Sequence, residues 1–213
     1  HLRSARKTTG SDYVFAVMSP SSVQRGESAV YDKWTRTRAT LRCGADMVIE
    51  LPVIYSTASA ENFARGAIKI ITESGIADNL AFGAETNDLS ALSAAAELLV
   101  NPTESFNETL KSELSKGVSF PVARATAFST ETGKNPDILG TSNNILAVEY
   151  IKALKMFSSG IKPVITKRTG SEYNSDKING TIASASAVRK VIYKGKTNLV
   201  AQTVPPECFD LYE

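Results

Sequence analysis

The chain has 213 residues, 42% of them hydrophobic and 22% charged, ordinary values for a globular protein large enough to bury one substantial core. No apolar run approaches the roughly 20 residues of a membrane span, and no signal peptide opens the sequence. One histidine, no Cys-x-x-Cys and only two cysteines, Cys43 and Cys208, argue against structural zinc, a histidine-based triad and a disulfide framework, and favour a reducing cytoplasm.

His1 opens directly in a helix-like segment, LRSARKTTG, so residues upstream are expected to be missing. DYVFAVMS (12–19) reads as a buried strand and DKWTRTRATLRCG (32–44) as a helix stopped by Gly44. DMVIELP (46–52) is a second strand, ended by Pro52. SAENFARGAIKIITESG (59–75) is an amphipathic helix with Phe63, Ala67, Ile70 and Ile71 on its apolar face, and NLAFGAE (79–85) is a third strand. This β-α-β-α-β order predicts a parallel sheet with right-handed crossovers that binds ligands at the carboxyl ends of its strands.

Residues 88–100 and 103–116 read as successive helices, with a third from Val122 to Ser129 and a fourth from Asn144 to Leu154. KPVITK (162–167) returns as a strand, and Ala187 to Tyr193 as a helix carrying Val188, Val191 and Ile192 on one stripe. The final QTVPPECFDLYE stops in mid-element, so a C-terminal part is expected to be absent as well. With no repeat and no long linker, residues 1–213 read as one α/β domain with a helical insertion at about 88–130.

The net charge of +2 is unevenly spread. From Ile151 to Lys196 ten Lys/Arg face only Glu172 and Asp176, a local +8 that leaves the remainder near −6. That basic third is either a face that meets phosphates or a solvated surface.

Nucleotide handling is the natural expectation for such a sheet, yet the sequence holds neither a G-x-x-x-x-G-K-[ST] loop nor a G-x-G-x-x-G after a strand. What remains is a series of polar loops at expected strand ends. Gln24, Arg25 and Gly26 lie in a connection of about ten residues, long for a βα loop. Glu50 ends a buried strand, paired by a nearby Lys/Arg or aimed at a ligand. Gly83 either admits close approach to a ligand or only relieves a strand end. Asn143 and Asn144 stand at a helix start, where Asn is also a good cap. Lys167, Arg168 and Gly170 follow the strand 162–167. In NGTIASASAVRK (179–190), Ser184 or Ser186 lies near a helix N-cap, and the bare N–H groups with Arg189 behind them suit an anion such as phosphate.

The run AVMSPSSVQRGESAVYDKWTRTRATLRCGADMVIELPVIYSTASAENFARGA (16–67) resembles the bacterial tRNA(Met) cytidine acetate ligase family, whose pattern reads AVMSGxFxQRGEPA, KWxR, G-x-D-x-V-I-E-L-P and ATASAExFAxGA. The likeness continues through LAFGAE, SNNILAVEYIKAL, TKRTGSEY and IASASAVRK, covering essentially the whole chain. Pro20 and Ser22 depart from the family's glycine and aromatic, and Ala183 from a common serine.

The resemblance implies a HIGH-motif, nucleotidyltransferase-like Rossmann fold. It further implies activation of acetate on ATP to acetyl-adenylate and pyrophosphate, then transfer to the wobble cytidine of elongator tRNA(Met). Magnesium on the triphosphate is expected to assist, with no dedicated metal site. The H-x-G-H turn is expected just upstream of His1, leaving Arg189 as the catalytic candidate in view. Nucleotide contacts are implied at Gly83, Asn143, Asn144, Arg168, Thr169, Ser184, Ser186 and Arg189. Substrate contacts are expected at Gln24, Arg25 and Lys33. Lys152, Lys155, Lys194 and Lys196, on expected helix surfaces or ends, are the RNA-binding candidates.

Overall fold

The computed structural model describes residues 1–167, 185–195 and 203–211. In chain order the elements are α1 (Leu2–Thr9), β1 (Phe15–Met18), α2 (Lys33–Arg42), β2 (Met47–Glu50), α3 (Val53–Ser56), α4 (Ala60–Ser74), β3 (Asn79–Ala84), α5 (Leu89–Val100), α6 (Glu104–Ser115), α7 (Phe120–Thr132), α8 (Ser142–Met156), β4 (Lys162–Lys167) and α9 (Ala185–Tyr193). They fall into two compact units, one from His1–Ser56 with Arg168–Glu213 and one from Thr57–Lys167.

In the first unit β1 and β2 pair in parallel, with Phe15 opposite Met47 and Met18 opposite Glu50. Asp46 fixes the start of that pairing. Its carboxylate accepts the N–H of Val14 at 2.7 Å and the Arg6 guanidinium at 2.5 Å, while its own N–H donates to the Val14 carbonyl at 2.7 Å. These bonds, the one from Val14 first, hold the Asp46 carboxyl below its ordinary pKa. α2 begins where Asp32 accepts the N–H groups of Trp34 and Thr35, at 2.8 and 3.1 Å. It gives way to Gly44, whose φ of 104° favours glycine. Both strands are shorter than expected, and Pro52, which has no N–H for a ladder, leads instead into the unanticipated α3.

In the second unit β3 pairs in parallel with β4, Asn79 opposite Lys162 and Ala84 opposite Lys167. Four helices, α5 to α8, separate these strands in sequence, and the element order alone did not assign them to each other. The middle helices form where periodicity placed them, α7 extending further with Pro121 in its first turn, where a missing N–H costs nothing. α4 packs on α8 and buries Ala64, Ala67, Ile68 and Ile71, so the expected apolar face is shifted and Phe63 and Ile70 are only half-buried. The 3.6-residue period sets the repeat, but which phase turns inward depends on the elements packed against the helix. Phe82, Leu92, Phe106, Phe128, Val148 and Ile151 form the centre of the core. Burying each such side chain contributes about 1.5–3 kcal/mol. Among the described residues no helix is long and apolar enough to cross a membrane.

Candidate functional site

The loop after β1 is more structured than its length suggested. Ser22 and Ser28 form an antiparallel bridge, the Val23 N–H donates to the Glu27 carbonyl at 2.9 Å, and the Ala29 N–H donates to Ser21 at 2.7 Å. At its tip Gln24–Gly26 make a 3-10 turn, with Gly26 at φ 73°. Arg36 pins the loop from α2: Nη2 donates to the Ser19 carbonyl at 2.9 Å and to that of Pro20, and Nε donates to Tyr31 at 3.1 Å. Ser56 Oγ adds a bond to the Ser22 carbonyl at 2.8 Å. Arg36 belongs to the KWxR motif, which by itself does not disclose this role; the length of the loop it must close was the available signal.

Gln24 is half-buried at that tip, whereas the Arg25 side chain lies outside the described residues. Lys33 is brought to the end of β2, where Nζ meets the Glu50 carboxylate at 2.6 Å and lies 5.2 Å from the centre of the Trp34 ring. Of the two readings of Glu50, pairing is the one observed. Lys33 therefore presents a neutralised pair at the strand end rather than a lone cation.

In the second unit, the turn after β3 is tied to the start of α8. Asn144, only 3% exposed, accepts the N–H groups of Glu85 and Thr86 on Oδ1 at 2.9 and 3.1 Å and donates from Nδ2 to the Asp137 carbonyl at 3.2 Å. Glu85 in return accepts the N–H of Asn144 at 2.7 Å, the N–H of Asn143 at 3.2 Å, the Asn143 side-chain amide and the Thr141 hydroxyl at 3.0 Å. Burial alone would raise the Glu85 carboxyl, but these hydrogen bonds outweigh it and hold it below its ordinary value.

A protein carboxylate thus occupies the anion position at the α8 N-terminus. Asn143 and Asn144, expected at a nucleotide, are already engaged in organising this turn. Gly83 lies two residues before Glu85 in β3, opposite Thr166. Glu85, Thr86, Asp88, Lys134, Asp137 and Asn144 are among the residues lining an open cleft of about 420 Å³ in this unit. Glu85 was missed as an organiser; its place directly after a buried strand was the only trace in the sequence.

The remaining anion-binding candidate is the start of α9. Ser186 lies in its first turn and Arg189 is exposed, with Nη2 donating to Ser186 Oγ at 3.4 Å. Ser184, Arg168, Thr169 and Lys196 lie outside the described residues. Among the described residues no group of three or more His, Cys, Asp or Glu is placed to hold a metal ion.

The basic candidates divide sharply. Lys152, expected on an open helix surface, is instead only 14% exposed, with Nζ shared between Glu61 at 2.6 Å and Glu149 at 3.2 Å. Arg124 joins the same cluster, 3.5 Å from Glu149. The correction has a simple cause: α8 carries Lys152 on the side that packs against α4, where an ammonium needs carboxylate partners. Lys155 pairs with Glu97 at 2.7 Å. Lys194, just past α9, is exposed.

Parallel strand pairs in both units, polar groups at strand ends and, in the first unit, a helix start carrying serine and arginine fit an α/β protein of the nucleotidyltransferase-like class. The profile of the HIGH Nucleotidyl Transferase family matches residues 1–213, and the chain belongs to that family. It is 42% identical over 218 residues to the tRNA(Met) cytidine acetate ligase of Acetivibrio thermocellus, covering 99% of this chain and 52% of that protein. It is 46% identical over 196 residues to the protein of the same name from Thermoanaerobacter pseudethanolicus, covering 91% and 49%. The crystal structure of Thermotoga maritima TmcAL in its apo form superposes with a TM-score of 0.92 at 36% identity, covering 99% of this chain and 51% of that one. The same protein bound with alpha-thio ATP superposes at 0.88, again at 36% identity, covering 99% and 50%. The resemblance read from the sequence holds for family and fold. The chain spans about half the length of the curated relatives it matches.

Proposed function

We propose that this chain carries the nucleotide-handling part of an ATP-dependent ligase that converts acetate to acetyl-adenylate, releasing pyrophosphate, and acetylates the wobble cytidine of elongator tRNA(Met). The observation that carries this reading is the co-linear identity to tRNA(Met) cytidine acetate ligases along 99% of the chain. The likeness to a TmcAL structure bound with alpha-thio ATP supports ATP as the activating substrate.

The chemistry suits the side chains. An acetate oxygen attacks the α-phosphorus and pyrophosphate leaves, so two anions must be brought together and charge must be neutralised as it moves outward. No protein nucleophile is required. In this reading Ser184, Ser186, Arg189, Arg168 and Thr169 grip the phosphates. Gly83 and Asn143 meet the nucleotide, and Asn144 with Glu85 holds that turn in place. Gln24, Arg25 and Lys33 face the substrate side, with Arg36 keeping their loop in shape. Lys194 and Lys196 meet the RNA. Magnesium travels with the triphosphate rather than in a dedicated carboxylate site.

The deciding experiment supplies the protein with ATP, acetate and tRNA, and follows acetate-dependent pyrophosphate release alongside mass spectrometry of the RNA. Acetyl-cytidine in tRNA(Met) and pyrophosphate in step with it are the expected results. Adenylation of a small phosphorylated acceptor in place of acetate would make the protein a small-molecule adenylyltransferase. RNA binding with no ATP binding would make it a non-catalytic module.

A further inference from the structure

Cys43 and Cys208 are 165 positions apart, and the fold brings their Sγ atoms to 3.0 Å. Cys43 caps the end of α2 and Cys208 sits in the 3-10 turn Pro206–Leu211, both within the first unit. Both thiols are free. A disulfide places its sulfurs about 2.05 Å apart, so closure asks for roughly 1 Å of approach.

The contact is held from both sides. Arg42, next to Cys43, donates to the Asp210 carboxylate at 2.6 and 2.8 Å, and Arg3 meets Glu207 at 2.6 Å. Cys208 Sγ also lies 3.3 Å from the Ala39 carbonyl of α2. The two sulfurs therefore meet because the surrounding side chains dock the turn on the helix, independently of any bond between them.

Their surroundings differ in a way that assigns roles. Cys208 is 1% exposed, whereas Cys43 is half-buried and reachable from solvent. We propose that Cys43 and Cys208 form a redox-responsive pair that closes to an intrachain disulfide by exchange with a small-molecule disulfide such as oxidised glutathione. The Cys43 thiolate attacks one glutathione sulfur, giving a mixed disulfide and releasing one glutathione thiolate. The Cys208 thiolate then attacks the Cys43 sulfur and releases the second. Each cysteine loses one proton, and the two electrons they give up reduce the glutathione disulfide to two thiols. Burial, then the hydrogen bond with Cys43, pushes the Cys208 thiol up to about 11, so it waits as the resolving partner rather than attacking first.

The test uses the whole chain in glutathione buffers of increasing oxidation. The expected result is loss of both titratable thiols in a monomeric protein, a fall of about 2 Da in intact mass and a linked peptide pair containing Cys43 and Cys208. The thermal midpoint should rise by about 10 °C, since the bridge closes a very long loop, and dithiothreitol should reverse every change. In Cys208→Ser a stable glutathione adduct should collect on Cys43. Cys43→Ser should leave Cys208 unreactive until the protein is denatured. Two free thiols throughout, a persistent adduct on Cys43 of the unaltered protein, or a bridge joining two chains would each overturn the proposal. The peptide map of the unaltered protein decides even if a variant fails to fold.

Discussion

Glu85 and Asn144 bind each other reciprocally: the Asn144 Oδ1 accepts the N–H of Glu85 at 2.9 Å, and the Glu85 carboxylate accepts the N–H of Asn144 at 2.7 Å. The pair locks the end of β3 to the first turn of α8, using one residue's side chain for the other's backbone in both directions. It works like a capping box formed across 59 positions instead of three.

Asn144→Ala leaves the N–H groups of Glu85 and Thr86 without their acceptor in a buried setting. A loss of about 1–3 kcal/mol in urea-derived stability is expected. Asn144→Asp keeps an acceptor but sets a second carboxylate against Glu85, and should be no better. If Asn144→Ala unfolds at the same urea concentration as the unaltered protein, the turn is held by other contacts.

Acid should expose the same linkage. Because the folded Glu85 carboxyl lies below its ordinary value of 4.5, its stabilisation is fully present above that value and is lost as pH falls through the folded pKa. Glu61 behaves alike, its carboxyl lowered chiefly by the Lys152 hydrogen bond. Denaturation midpoints should therefore stay level for these groups from about pH 8 to 6 and decline below the ordinary carboxylate range. Glu85→Gln should remove part of that decline. Parallel acid curves for the two proteins would refute the assignment.

Arg189→Ala should weaken ATP binding or activation by about 1.5–3 kcal/mol, the range of a charge-assisted hydrogen bond. Arg189 is exposed and donates to Ser186 on its own helix, so the fold should tolerate its loss. Unchanged ATP affinity and turnover would remove α9 from the nucleotide site.

The lysines separate stability from RNA binding. Lys152→Met strips a buried cluster of the cation shared by Glu61 and Glu149, the latter only 5% exposed, and should cost about 3 kcal/mol in stability. Lys194→Glu combined with Lys196→Glu should leave stability nearly unchanged. It should weaken tRNA binding and flatten its salt slope by about 0.7–0.9 per lost phosphate contact. A salt series of tRNA affinity beside an ATP titration distinguishes the outcomes. Survival of both affinity and slope makes the basic stretch a solvated surface.

Local rules made most of the elements legible. Gly44, Pro52 and Gly75 punctuate the chain where helices or strands stop, and the 3.6-residue pattern located the middle helices. What stayed hidden was long-range. Nothing near Phe82 specifies that β3 pairs with β4, and nothing near Lys152 announces Glu61 on another helix. The phase of α4 was legible only in part: Ala67 and Ile71 are buried as expected, but Ala64 and Ile68 take the inner positions expected of Phe63 and Ile70. The meeting of Cys43 with Cys208 likewise depends on a chain closure that no local motif encodes.

The second unit is an unbroken run from Thr57 to Lys167, while the first takes residues from both sides of it. During synthesis every contact of the second unit becomes available once Lys167 has left the ribosome. The β1–β2 pair leaves the ribosome before the second unit, yet its own unit also takes residues that follow position 167. Nascent chains released just after position 167 should accordingly protect α4 to α8 from protease while leaving α1 and α2 exposed. A unit whose synthesis starts before its neighbour's is thus completed after it.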